Sequence, residues 1–262
     1  MSARYAAAFE PADLAAVKIS VEEEQRLGNL AARAFVAYLA SQRIRVTEQG
    51  RDVDYLRKMV DGVRPYMTHA DRYSRPTIYL VHSPRFDARV FPGGHMFFFR
   101  GLLESIGSEA ALVGVIGHEL AHLDRGHALS RLRQMKLIAK TARGDWRDMT
   151  GQQRLAVRDS IARIWMRPVE PQSEAQADRD GARWAYQAGY DPREMGRLVL
   201  RPHNGEANQQ LPGVSFSPPH ASREDRHQAI FQEYERLQEA APNAALYIGK
   251  GNPQRRAFRP ES

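Results

Sequence analysis

The chain has 262 residues, is 42% hydrophobic, 9% aromatic and 26% charged, and carries 38 Lys and Arg against 31 Asp and Glu, a formal charge of +7. That composition excludes a mostly disordered chain, which would have too few apolar residues to build a core. The length suits one large domain or two small ones, and the absence of cysteine excludes a disulfide scaffold, a cysteine nucleophile and cysteine-ligated zinc.

No stretch approaches the roughly 20 consecutive apolar residues that span a bilayer. Met1–Phe9 has no long apolar run of the kind found in a signal peptide. The pI near 9.8 invites a nucleic-acid reading, but the basic excess is modest, mostly Arg and scattered, with part of it in 254–259. No nucleic-acid motif accompanies it, so no nucleic-acid partner is expected.

Residues 1–19 are Ala-rich and weakly patterned, and are read as a flexible segment. Ser20 followed by Glu23 reads as a capping box. It opens a helix with Leu27, Leu30, Ala31, Ala34, Val36, Tyr38 and Leu39 at helical spacing. A second helix is predicted from about Asp52 to Tyr66, with Val53, Leu56, Met59, Val60 and Val63 on one face. Thr77–Val81 is rich in β-branched and aromatic residues and predicts a strand. Ala88–Phe91 and Met96–Phe99 flank Pro92-Gly93-Gly94 and predict a hairpin or a tight reversal whose phenylalanines pack in the core or the sheet.

From Ser108, a plausible N-cap, the pattern is helical nearly to the end. Ala111, Leu112, Val115, Ile116, Leu120 and Leu123 make a strongly apolar helix. Further helices are predicted over about 127–141, 148–166, 173–188, 192–200 and 222–240, with a loop over 202–219. Residues 20–241 then form one α+β domain, with a small sheet among helices segregated from it. Residues 242–262 show no core-forming pattern and are read as a flexible tail.

The apolar helix contains His118-Glu119-Leu120-Ala121-His122. Histidines at i and i+4 share a face, so both rings reach one ion, and the glutamate between them can touch a water without binding the metal. The alternative is a pair of core histidines satisfied by hydrogen bonds. Two rings and a carboxylate in an otherwise apolar helix make that costly.

A catalytic zinc site usually takes three protein ligands. The extended motif would need Gly at 125 and His at 128, where the chain has Arg125 and Ala128. His127 lies five residues past His122, on another side of the helix, and reads as a supporting or structural residue. Glu174 is the better third ligand, with Asp178 one turn later able to bond a ligand imidazole. Spacing alone leaves open that both are solvated acidic positions on a helix surface.

These features together resemble the gluzincin metallopeptidases of the HtpX, Oma-type, BepA and LoiP group, related to the type I CAAX prenyl proteases. The resemblance covers roughly 20–240 and includes Ser20–Glu24 with Gly28, Asp87-Ala88 before Phe91–Gly94, and Arg100–Leu103. It continues through His118–His122 with His127, Glu174–Asp178, and His220 with Arg226. It implies a mainly helical zincin-like domain with a small sheet beside the active-site helix. It also implies one Zn2+ held by His118, His122 and Glu174, with Glu119 as general base and a polypeptide substrate.

The resemblance further implies that Asp87, Ala88, Arg89, Val90 and Phe91 form an edge strand to which substrate adds. His220 and Arg226 are implied near the reacting centre, steadying the oxyanion, with His220 also able to reach the metal. A capped helix start with an ordinary salt-bridged Arg is the alternative account of that pair. The soluble envelope members are the nearest in kind, which implies a bacterial periplasmic or envelope setting with the leader removed. A latent or inactive zinc site on a chaperone-like binding module is the alternative function. The chain departs from the group at Asp87, where Asn is usual, at Gln176, where Glu is common, and at Ala221, where Pro is frequent.

Overall fold

The structure, a computed structural model, describes residues 14, 16–145, 150, 171–201, 222–242 and 244–258. Apart from Thr150, the predicted helix 148–166 lies outside these residues, as does the predicted loop 202–219. Helix α1 (Val21–Ser41) starts where Ser20 accepts a hydrogen bond from the Glu23 N–H at 3.1 Å. Its buried stripe is Glu24, Gly28, Ala32 and Leu39; Leu30 and Ala34, read as core, face solvent. The i, i+4 series that includes a buried carboxylate and a glycine outweighs the apolar spacing there.

Strand β1 (Val46–Thr47), which the sequence reading missed, precedes α2 (Arg51–Val63). All five apolar residues expected on α2 are buried. Strands β2 (Thr77–Val81), β3 (Ala88–Phe91) and β4 (His95–Phe99) follow. The sheet order is β1-β2-β4-β3, with β2 and β4 parallel and the other pairs antiparallel. The predicted hairpin is β3–β4, and Gly93 and Gly94 turn it with φ of 77° and 84°, a conformation glycine adopts at little cost. Strand β3 is thereby an edge strand.

The sheet is covered on both faces, where a sheet segregated from the helices was expected. Phe97 and Phe99, with Tyr79 and Phe91, pack against α1, while Met96, Phe98 and Ile78 join the main core. Continuous apolar runs in β2 and β4 leave no polar face to put in water.

After α3 (Arg100–Ser105) comes α4 (Glu109–Asp124), buried along its whole length from Glu109 to Leu123. A helix with no polar face belongs at the centre of a domain. It lies between the sheet on one side and α6 (Pro171–Gln187) and α7 (Arg193–Leu200) on the other. Helices α5 (His127–Asp145) and α8 (Arg223–Ala240) complete the bundle, and α9 (Asn252–Arg255) closes it. Among the described residues no helix is long and apolar enough to cross a membrane.

Residues 247–258, expected as part of a tail, dock on this bundle. Asn252 donates to Glu109 at 2.6 Å, Arg256 to Asp52 at 2.7 Å, and Phe258 packs on Tyr55. Their contacts are specific and polar, so they leave no periodic apolar trace in the sequence.

Candidate metal centre

The centre is built where α4 crosses α6. A Cβ placed on Gly181 would stand 2.7 Å from the His118 backbone nitrogen, and one on Gly117 would stand 2.9 Å from Gly181 Cα. Only glycine at both positions lets the backbones meet so closely. The sequence reading missed both residues. Their signal is the small-residue series Gly114, Gly117 and Ala121 along α4, opposite Gly181 three residues past Asp178.

That crossing carries Glu174 of α6 to the two imidazoles of α4. His118, His122 and Glu174 are all buried. The two Nε2 atoms lie 3.1 Å apart, and the Glu174 oxygens stand 3.5 Å from His118 Nε2 and 3.3 Å from His122 Nε2. Metal bonds of about 2.0–2.1 Å at a tetrahedral angle put ligand atoms about 3.3–3.4 Å apart. The observed spacings, each imidazole facing a different Glu174 oxygen, bracket that value, and two imidazoles with one carboxylate are a donor set zinc accepts. The residues therefore fit a divalent zinc ion.

Electrostatics agree. Burial works against a charged His118 ring, yet Asp178 and Glu174 outweigh burial and raise it. Burial likewise opposes ionisation of Glu174, but hydrogen bonds from His118 and His122 hold its carboxyl well below the usual range.

Each imidazole has a partner behind it. Asp178 Oδ1 stands 2.9 Å from His118 Nδ1, and Asp178 is itself held by Arg226, whose Nε and Nη2 donate at 2.8 and 2.7 Å. His122 Nδ1 faces His127 Nδ1 at 2.9 Å. Glu119, next to His118, is only 5% exposed, and burial pushes its carboxyl up to about 7.

Asp87, Ala88, Arg89, Val90 and Phe91 lie on and just before the edge strand β3, which packs against α4. Asp87 is buried, and burial raises its carboxyl, but Arg89 Nε donates to it at 3.0 Å. Its extra negative charge is thus answered locally. Arg226 sits behind His118, on Asp178, and Glu174 is 3.8 Å from it. His220 lies outside the described residues.

The model of peptidase family M48 matches residues 54–234, well over half of the chain and including every described residue of the centre. The chain belongs to peptidase family M48. This M48 chain is 33% identical to the human mitochondrial metalloendopeptidase OMA1 over 134 residues, 44% of this chain and 24% of that protein. The Bos taurus OMA1 is 28% identical over 181 residues, covering 62% of this chain and 34% of the relative. The Schizosaccharomyces pombe protein is 27% identical over 156 residues, covering 58% and 45%. The matches span about a quarter to just under half of the length of these relatives.

Proposed function

We propose that this M48 chain is a zinc-dependent endopeptidase with His118, His122 and Glu174 as ligands and Glu119 as general base. The observation that carries the reading is the buried convergence of two imidazole Nε2 atoms, 3.1 Å apart, on the Glu174 carboxylate, with its Oε2 3.5 Å from His118 and its Oε1 3.3 Å from His122, and with a carboxyl of raised pKa next in sequence to His118. Zinc bound there would supply Lewis acidity toward the scissile carbonyl and the attacking water.

Glu119 takes a proton from the attacking water and returns it to the leaving amine, so the carboxylate is regenerated in each turnover. Its buried setting supports this role, since a base with pKa near the working pH accepts and donates with similar ease. Asp178 and Arg226 act as positioning residues that hold the His118 ring. The edge strand β3 binds the substrate backbone in extended form, and Asp87–Phe91 supply its main-chain partners. His220 is proposed to meet the developing negative charge, on the resemblance alone.

Within the family, the motif set supports a place near the HtpX, BepA and LoiP members, and on that resemblance we propose a role in envelope protein quality control. The human and Schizosaccharomyces pombe OMA1 relatives are metalloendopeptidases, which supports a polypeptide substrate.

The test is casein cleavage and zinc content of the full chain and its Glu119→Gln variant. We expect one zinc per chain in both and a loss of cleavage of at least about 100-fold in the variant. Equal cleavage by the variant overturns the assignment of the base. A wild-type protein that binds zinc without cleaving any unfolded polypeptide supports the chaperone-like alternative.

A further inference from the structure

His122 does not end at His127. His127 Nε2 stands 3.2 Å from Gln176 Oε1, so a three-residue chain runs from α4 through the first residue of α5 to α6. Gln176 lies two residues past Glu174 on the same helix that delivers the carboxylate ligand. The two imidazoles are therefore backed differently: His118 by an ion pair, His122 by a neutral ring and an amide.

We propose that His127 and Gln176 are positioning residues that set the tautomer and orientation of His122 as a metal ligand. The proposal rests on the zinc reading above. A ligating His122 Nε2 must present a lone pair, so its proton is on Nδ1. Nδ1–H then donates to His127 Nδ1. His127 keeps its own proton on Nε2 and donates it to Gln176 Oε1. Each donor meets one acceptor, and no ring needs a second proton.

The terminal amide has a further consequence. Gln carries both a carbonyl oxygen and an NH2 group. Turned over, its NH2 would donate to His127 Nε2, His127 Nδ1–H would donate to His122 Nδ1, and His122 Nε2–H would donate to Glu174 Oε1, now 3.3 Å away. The same neutral residues thus serve both tautomers of His122, one that binds metal and one that bonds Glu174. A carboxylate at 176 could only accept, and would hold the metal-binding direction alone.

The experiment is zinc affinity of the full chain by competition with a fluorescent chelator, with thermal melts of the metal-free proteins run alongside. Gln176→Met, nearly the same shape without an acceptor, is expected to weaken zinc binding by about tenfold or more, as supporting hydrogen bonds to ligand histidines do. His127→Leu is expected to do the same. His127→Asn, whose Oδ1 can stand where Nδ1 stood, is expected to recover affinity to within about threefold of wild type, and Gln176→Glu to keep or tighten it.

Imidazole 15N spectra of the zinc-loaded protein should show His122 with its proton on Nδ1, and mixed or broadened signals in His127→Leu. If His127→Leu binds zinc as tightly as wild type with an unchanged His122 spectrum, or if Gln176→Glu loses as much as Gln176→Met, the relay is wrong while the three-ligand site stands. If wild type fails to bind one zinc, both readings fall.

Discussion

Arg226 donates two hydrogen bonds to Asp178, at 2.7 and 2.8 Å, in a place where the two residues are 4% and 0% exposed. Burial pushes the Asp178 carboxyl up, and Arg226 with His118 more than reverses it. Taking away the guanidinium would leave a buried carboxylate without its main counter-charge, which costs about 3–5 kcal/mol in comparable sites. Arg226→Met is therefore expected to lose about that much stability in urea denaturation. The double variant Arg226→Met with Asp178→Asn is expected to lose far less than the sum of the two single changes, because their effects are coupled. Additive losses would mean that the pair is not a unit.

The crossing of α4 and α6 depends on Gly117 and Gly181. Ala at an ordinary helix position stabilises by about 1 kcal/mol relative to Gly. Here the added methyl would meet His118 backbone nitrogen at 2.7 Å, and backbone cannot give way as a side-chain tip can. Gly181→Ala is expected to lower stability by about 1–3 kcal/mol and to reduce zinc occupancy, because Glu174 moves away with its helix. Thermal melts and metal analysis on the same sample check both halves. A stabilised variant with full zinc would show that the helices have slack.

The parts of this molecule that were legible in the sequence carry periodic or spaced signals. The α2 face, the β3–β4 hairpin and the central helix all follow from apolar spacing or from Pro-Gly-Gly, and His118–His122 follows from a five-residue motif. Glu174 was legible only as a candidate, since spacing cannot say which face a distant helix presents. The structure brings it to the two rings. What the sequence hid has no period. The glycine crossing is two single residues 64 positions apart, β1 is two residues long, and Glu24 is a buried carboxylate outside the apolar positions that mark its helix. Glu24 is held inside by Arg72, by Tyr73 and by the Gly93 N–H of the hairpin turn, and none of these is near it in sequence.

The segment 247–258 gives a third expectation. Asn252 is 6% exposed and donates from Nδ2 to Glu109 at 2.6 Å, while Tyr190 donates to the other oxygen of Glu109 at 2.6 Å. Glu109 opens the helix that carries the two histidines and is wholly buried. Asn252→Ala removes one of these donors, and a hydrogen bond to a charged buried group is worth about 1.5–3 kcal/mol. A loss of that size is expected in denaturant titration, with zinc content unchanged because the ligands sit more than two turns further along α4. Loss of zinc at full stability would instead tie this clasp to the centre.

His95 supplies a pH dependence away from the metal. It is buried in β4, with Tyr79 Oη 3.2 Å from its Nδ1, and burial holds its pKa below the ordinary value of 6.5. A histidine with a depressed folded pKa favours the folded state fully above the unfolded value. That contribution fades as the pH falls below about 6.5 toward the folded pKa, because the unfolded chain takes up the proton first. The wild type is therefore expected to lose stability between pH 7.5 and 5.5 more steeply than His95→Gln, which has no proton to gain. Melting temperatures of both proteins at the two pH values, in chelator to keep the metal centre constant, give the comparison. Parallel pH slopes would show that His95 titrates as freely folded as unfolded.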